Sequence, residues 1–148
     1  MTTKKKPMQA EPPIAVTPIR VIPVWHPDRL DKVNPLVIEN LLELVNRGKV
    51  NCLAKLIQMN QDLCRVGLRS RYCKHLLDAL YELKDTTSDG GARLYFIRGN
   101  HNTYYLFHAE CKKENATDDW ILGTGLEILE AIERGAPVQP ERYRQKRP

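Results

Sequence analysis

Long hydrophobic runs are absent from the sequence, and no apolar stretch approaches the ~18 residues that a membrane-spanning helix needs. Residues 1–13 are polar and carry lysines, so we expect no secretory signal and a cytoplasmic protein without membrane contacts. Paired cysteine motifs are also absent, which argues against a zinc site or a C-x-x-C redox motif. We expect reduced thiols at all four cysteines, which are Cys52, Cys64, Cys73 and Cys111.

The 148 residues suffice for one ordinary domain, and 42% apolar with 28% charged residues is typical of a globular protein. Polar segments that contain several prolines lie near both ends of the chain and cannot supply a buried face. We therefore predict a disordered N-terminal arm over residues 1–18, a folded unit over 19–135 and a flexible basic tail over 136–148.

Charge is unevenly distributed within the folded unit. Residues 65–113 carry nine Lys or Arg side chains against five acids, whereas residues 114–140 carry one against six. A domain polarised in this way could present a basic face to a phosphate backbone. Chance clustering of charges on solvated faces is an equal alternative at this stage.

Hydrophobic periodicity and breaker residues predict the first elements of the fold. A β-branched segment over residues 19–25 is typical of a strand, and Pro23 favours an edge position in the sheet. Asn34 as the cap and Pro35 as the first helical residue open a first helix. A second helix is predicted over residues 50–63, and both helices are explained most simply as core packing.

The remaining elements complete a sheet and add a last helix. A capping box of Thr124 and Glu127 opens the last helix, and Gly135 ends it. The order of elements predicts an α+β fold, in which an N-terminal helix pair and a C-terminal helix pack against one small antiparallel sheet. The later strands are predicted over residues 80–84, then 92–98 after a turn-rich loop at 85–91, and 103–112 after a tight turn at 99–102.

Five short motifs follow one another in this part of the chain: Cys73–Leu76 (CKHL), Leu80–Lys84 (LYELK), Gly91–Tyr95 (GARLY), Leu106–Ala109 (LFHA) and Lys112-Lys113. These motifs and the last helix span residues 73–134. In their order and spacing, this part of the chain resembles the RelE/HigB-like toxins of bacterial type II toxin–antitoxin systems, including their phage-derived relatives. The helix pair upstream fits the topology of the same family.

The resemblance implies a RelE-like fold and a small endoribonuclease that cuts mRNA, usually during translation. The implied partners are a cognate antitoxin that holds the enzyme inactive, the mRNA, and the ribosome. No cofactor and no small-molecule ligand are expected. The catalytic residues would lie on the open face of the sheet.

RNA cleavage can use the substrate's own 2′-OH as the nucleophile, so the protein must move protons and stabilise a negative phosphorane. The family often does this with clustered Lys and Arg side chains, and we expect no metal because the sequence offers no carboxylate cluster to hold one. The resemblance places Arg93 at the family's strand arginine, in an electrostatic role. The alternative is a structural arginine paired with Glu82. Lys84 stands where the family more often has Arg, and Glu82 would orient Arg93 or Lys84.

Two further cations and a histidine complete the predicted catalytic set. Adjacent strand residues point to opposite faces, so only one of Lys112 and Lys113 should reach the site, and we favour Lys113. Lys112 and Arg98 are then expected to bind substrate. His108 lies on a predicted central strand and could exchange a proton near neutral pH, although a satisfied core histidine is the more common explanation.

The clearest departure from the family pattern lies just before the last helix, where many members have a tyrosine. Here the sequence reads Asp118-Asp119-Trp120. Trp120 could stack on an unpaired base, or it could anchor the helix to the sheet. Because of this departure, two other functions stay open, a gyrase-directed toxin that acts by binding and a phage-derived nucleic-acid or protein adaptor.

Overall fold

Five strands and three longer helices make up the computed structural model, which describes residues 17–143. The helices are α1 (Leu36–Asn46), α2 (Val50–Val66) and α3 (Asp119–Glu133). The strands are β1 (Arg20–Pro23), β2 (Cys73–Leu77), β3 (Leu80–Thr87), β4 (Gly90–Arg98) and β5 (Thr103–Lys112).

The strands form one sheet in the order β1-β5-β4-β3-β2. Strands β2 to β5 are an antiparallel meander, whereas β1 lies parallel to β5 at the far edge. The structure therefore confirms the α+β fold and the edge position of the strand that contains Pro23. The prediction of a purely antiparallel sheet is wrong, because β1 and β5 are parallel. After β1 the chain passes through two helices and three strands before β5 returns beside it.

The two faces of the sheet carry separate cores. Helices α1 and α2 cover one face, where Leu56, Met59 and Leu63 of α2 are fully buried. Helix α3 covers part of the other face, which we call the α3 face. Its apolar core consists of Val24, Leu80, Tyr95, Ile97, Phe107, Ile121 and Ile128.

A bulge in β5 determines which of its residues face α3. Tyr95 of β4 pairs with His108, but the next residue, Phe96, pairs with Leu106, so Phe107 is an extra residue in β5. The rings of Phe107 and His108 both lie against Tyr95, with centroids at 6.2 and 5.7 Å. Two consecutive side chains therefore share the α3 face, which a regular strand would not allow.

Several predicted boundaries differ from the observed ones. Strand β2 was not predicted, and the expected loop at 85–91 is a continuation of β3 and β4 around a two-residue turn at Ser88-Asp89. The capping box is wrong, because α3 begins at Asp119 and places Thr124 and Glu127 in its interior. Glu127 instead accepts a hydrogen bond from His26, with Nε2 and Oε1 2.6 Å apart.

The residues at the ends of the helices agree only in part with the prediction. Pro35, not Asn34, is the N-cap of α1, and it makes no side-chain capping bond. Gly135 does end the last helix, at a φ of +78°, which is a left-handed conformation that glycine adopts without strain.

The reduced state expected for all four cysteines is wrong for two of them. Cys52, in the first turn of α2, forms a disulfide with Cys111 of β5, and their Cα atoms are 6.1 Å apart. The bridge joins the helix pair to the end of β5 and closes a loop with a sequence separation of 59. Cys64 and Cys73 are free thiols. This pairing could not be predicted from the sequence, because residues so far apart in the chain are brought together only by the fold.

The described part of the predicted tail packs against the domain. Trp25 donates its backbone N–H to Val138 O, and its ring lies 5.0 Å from that of Tyr143. Gln139 donates to Pro23 O, and Pro140 is buried. The chain therefore makes ordered contacts up to Tyr143, beyond the predicted boundary at residue 135. Residues 1–16 of the predicted arm and 144–148 of the tail lie outside the described residues.

Glycine in α3 allows the helix to approach the sheet closely. A Cβ atom at Gly125 would lie 2.6 Å from Leu80 Cδ2 and 2.7 Å from Phe107 Cζ, closer than packed carbons tolerate. Gly123, in the same helix, has no neighbouring atom within 4 Å of such a Cβ. The pair thus separates the effect of helix propensity from the effect of packing.

We expect Gly125→Ala to lower the free energy of unfolding by about 1–3 kcal/mol, because the added methyl group overpacks the interface between α3 and the sheet. Gly123→Ala should raise it by about 0.5–1 kcal/mol, since alanine favours the helix and meets no obstacle. Urea denaturation of both variants measures the difference. Equal stabilisation by the two substitutions would show that α3 does not pack as closely as described.

Candidate functional site

Polar side chains occupy two neighbouring cross-strand rows on the α3 face. In the first row, Lys84 of β3 and Glu110 of β5 flank Arg93 of β4. In the second row, Glu82 and His108 flank Tyr95. Directly opposed side chains have Cβ atoms about 5 Å apart, so each row forms one continuous surface.

A cleft of about 290 Å³ opens at the end of these rows, between the β3–β4 turn and the connection from β5 to α3. Four cations line it, and its one acidic lining residue, Asp85, is paired with Lys55 at 3.0 Å. The residues that line the cleft therefore carry more positive than negative charge. Its cationic residues are Lys84, Arg93, Lys112 and Lys113.

Arg93 lies at the bottom of the cleft and is only 1% exposed. Its guanidinium donates to the backbone carbonyls of Glu114 and Ala116, the latter at 3.4 Å, while its Nε has no partner within residues 17–143. The residue thus fixes the connection that leads from β5 to α3. Two of its donor groups serve this purpose, so its contribution to a bound anion would be mainly its charge.

Lys112 is held in an acidic environment beside the cleft. Its Nζ lies 3.4 Å from Asp118 Oδ1 and 3.9 Å from Glu110 Oε2. The same Glu110 oxygen accepts a 2.6 Å hydrogen bond from Tyr95 Oη. Burial, together with this carboxylate, raises the pKa of Tyr95, which keeps the phenol protonated.

Glu82 is a buried carboxyl group whose Oε1 makes no hydrogen bond to the described residues. Burial raises its pKa, and the positive charges of Arg93 and Lys84 act in the opposite direction. The structure records no ion pair between Glu82 and Arg93 in residues 17–143, so the pairing considered for these two side chains is not formed. Glu82 lies opposite Tyr95 and can influence the site only through its local field.

His108 is nearly enclosed, with 5% of its surface exposed, and its Nδ1 has no partner among the described residues. The ring of Trp120 stands edge-on against it at a centroid distance of 4.9 Å. Burial lowers the pKa of His108 to about 4, with Asp118 opposing and Lys112 adding to the shift. The imidazole is therefore neutral at pH 7. It has a nitrogen that could accept a proton, but it adds no positive charge to the site.

The structure brings together most of the residues proposed from the sequence. Lys84, Arg93, Lys112 and Lys113 share the cleft, with Glu82, His108 and Trp120 in the neighbouring row or beside it. The expectation that only one of Lys112 and Lys113 reaches the site is wrong: both line the cleft, because β5 ends at Lys112 and the alternation of a strand no longer applies to Lys113. Arg98 does not join them, because it lies at the opposite end of β4, next to the turn at 99–102.

Tyr95 and Glu110 belong to the site but were missed in the sequence. A signal for them existed: Tyr95 stands two residues after Arg93, and residues at this spacing share a face of a strand. Glu110 could be assigned only once the register of β4 and β5 was known, because the bulge at Phe107 changes the alternation.

No group of three or more His, Cys, Asp and Glu side chains in residues 17–143 is arranged to hold a metal ion. None of the helices among these residues has both the length and the hydrophobicity to cross a membrane.

Comparison with models of known protein families gives a match. Residues 39–130 match the model of the phage-derived protein family described as "Phage derived protein Gp49-like (DUF891)". The chain belongs to this family. The match includes every residue of the cationic cleft and ends within α3. A search of curated proteins found no significant match.

The Gp49-like family is associated with the toxins of toxin–antitoxin systems, and membership implies an antitoxin partner. The coarse part of the resemblance read from residues 73–134 is therefore confirmed. The family match does not extend to an endoribonuclease activity.

The enclosure of His108 predicts a pH dependence of stability. The pKa of His108 falls from 6.5 in the unfolded chain to about 4 in the folded one, so between these values the unfolded chain binds a proton that the folded chain does not. The free energy of unfolding should fall by on the order of 1–3 kcal/mol from this group as the pH drops from 6.5 to 4.

Replacing the imidazole with a group that does not titrate isolates this contribution. His108→Gln should flatten the pH dependence between pH 6.5 and 4, whereas His101→Gln, at an exposed turn, should leave it unchanged. Chemical denaturation at a series of pH values measures both. A slope that is identical in wild type and His108→Gln would contradict the enclosure of this ring.

Proposed function

We propose that the protein is the toxin of a type II toxin–antitoxin system and that it cleaves mRNA in the cationic cleft. One observation carries the proposal: Lys84, Arg93, Lys112 and Lys113 converge on one cleft whose acidic residue is already paired. Such a site suits the phosphates of a single RNA strand. The cytoplasm, where translated mRNA lies, is the corresponding location.

The cations can stabilise the reaction without a metal. When the 2′-OH attacks the adjacent phosphorus, the phosphorane gains negative charge, and preorganised cations lower the energy of that state. Lys84 and Lys113 have no ion-pair partner among residues 17–143, so their ammonium groups are free to contact phosphate oxygens. Arg93 adds a fixed charge beneath them and holds the connection that carries Lys113.

Proton transfer falls to the second row in this proposal. While His108 is enclosed it is neutral at pH 7, because burial lowers its pKa to about 4. When RNA displaces Trp120, part of that burial is removed and the pKa rises, so that the imidazole can accept the proton of the 2′-OH. Tyr95, which donates a 2.6 Å hydrogen bond to Glu110, is a protonated group next to His108. We propose that the departing 5′-oxygen receives its proton from the Tyr95–Glu110 pair or from Lys112.

Weak proton donors make the reaction depend on positioning. The site has charge to stabilise the phosphorane but lacks a charged acid matched to neutral pH, so the RNA must be held in line by another component. The ribosome, which presents an extended codon of mRNA, supplies such positioning. We therefore expect cleavage with translating ribosomes and only slight cleavage of free RNA.

A non-catalytic function is the second candidate, and one observation favours it. The guanidinium of Arg93 is bound to the carbonyls of residues 114 and 116, and His108 is enclosed. A site with both groups committed to structure could bind without cleaving. In that case the protein would act as a gyrase-directed toxin or as an adaptor that binds nucleic acid or protein.

Inducing the protein in bacteria without its antitoxin distinguishes these functions. We expect growth arrest with new 5′ ends in translated mRNA, and loss of both in Lys112→Met, since removing one preorganised donor can reduce the rate by on the order of 10²–10³. Arg20→Met removes an exposed cation of β1, which pairs with Thr103 at the end of β5 opposite Lys112, and should retain full toxicity.

Two results would contradict the nuclease. DNA damage with intact mRNA would identify the gyrase-directed function, and normal growth on induction would identify the adaptor. If Lys112→Met leaves both toxicity and mRNA cleavage unchanged, the active site does not lie in the cleft.

A further inference from the structure

A second cavity, of about 340 Å³, lies between the connection from β1 to α1 and the first two turns of α3. Both tryptophans of the chain, Trp25 and Trp120, line it together with Phe107. Trp25 is held in place by its ring N–H, which donates to Lys32 O at 3.1 Å. Trp120 is 55% exposed, so a flat apolar surface faces solvent beside an aromatic floor.

Polar side chains that are fully or partly accessible to solvent surround these rings. The side chains of Asn34, Glu39 and Thr124 line the cavity and form no hydrogen bond with any part of the described chain. Arg29 and Lys32 add two positive charges at the rim, neither of them in an ion pair with residues 17–143. Aromatic surface, free hydrogen-bonding groups and nearby cations together match the chemistry of a nucleotide.

The cavity lies further back along β5 than the cationic cleft, next to the apolar core of the α3 face. Phe107 precedes Lys112 by five residues in this strand, so the two sites lie on the order of 15 Å apart. Trp120 follows Asp118 closely, and Asp118 forms the ion pair with Lys112. One extended RNA strand can therefore place a phosphate in the cleft and a base further along the same strand in the cavity.

We propose that this cavity binds a single unstacked base of the RNA substrate, and that it selects guanine. The inference rests on the proposed function, because it takes the ligand of the neighbouring cleft to be RNA. A carboxylate only accepts hydrogen bonds. The base edge of guanine presents two adjacent donors, N1–H and the N2 amino group, which can bind both oxygens of Glu39. Adenine and uracil each pair a donor with an acceptor, which a carboxylate would repel.

The two tryptophans make the cavity directly observable by NMR. The chain has two indole N–H groups, and both belong to residues that line the cavity. Titration of the ¹⁵N-labelled protein with GMP should shift the Trp120 indole signal and, to a smaller extent, that of Trp25. AMP and UMP should bind several-fold more weakly. These probes need no cleavage, so the result is independent of nuclease activity.

A matched pair of glutamates on α1 tests the base preference. Glu39→Gln replaces one accepting oxygen with a donor and should bring the affinity for GMP to within about twofold of that for AMP, as expected for the loss of one hydrogen bond to a charged group. Glu43→Gln, one helical turn further on and outside the cavity, should leave the preference intact.

Distinct results separate this inference from the proposed function. Indole shifts that favour GMP, in a protein that cuts no RNA, would support the cavity and contradict the nuclease. RNA cleavage without indole shifts, equal shifts for all three nucleotides, or a GMP preference that survives Glu39→Gln would overturn the guanine site.

Discussion

A buried guanidinium organises the end of the sheet on which the candidate site lies. Arg93 extends from the central strand β4 to the carbonyls of Glu114 and Ala116 and so fixes the segment between β5 and α3. That segment carries Lys113 into the cleft and leads to Asp118, the partner of Lys112. A buried charge is tolerable only when hydrogen bonds replace its hydration. The position of these lysines and the start of α3 therefore depend on one side chain of the sheet.

The α3 face is divided between stability and binding. Helix α3 covers its apolar half, where Leu80, Ile97 and Phe107 are fully buried, and Gly125 lets the helix approach. The half near the β3–β4 turn is closed by the segment between β5 and α3 and not by the helix itself, and polar rows replace the apolar ones there. The same three strands thus provide a rigid core at one end and a charged surface at the other, which holds the cations without relying on mobile loops.

The sequence predicted the fold class, the helix pair and the central strands, because these depend on local periodicity and on breaker residues such as Pro23. It missed what depends on pairing across the sheet. The bulge at Phe107, the turn at Ser88-Asp89 and the disulfide between Cys52 and Cys111 follow from register and proximity in space.

The same distinction applies to the site. The cations of the cleft were found through a family resemblance and their residue type, whereas Glu110 required the observed register. Arg98 shares a strand with Arg93 but lies five residues further on, at the other end of the sheet. Whether a cationic residue lines the cleft depends on its position along the strand, and the residue type alone does not indicate that position.

The position of bound RNA is the most direct test of this account. A short single-stranded RNA with 2′-O-methyl groups cannot supply the attacking hydroxyl, so it binds without being cut. Its titration into ¹⁵N-labelled protein should shift amide signals of Lys84, Lys112 and Lys113 in a salt-dependent manner and leave those around Arg98 in place. Shifts confined to the helix-pair face, or to the turn at 99–102, would contradict the assignment of the cationic cleft as the substrate site.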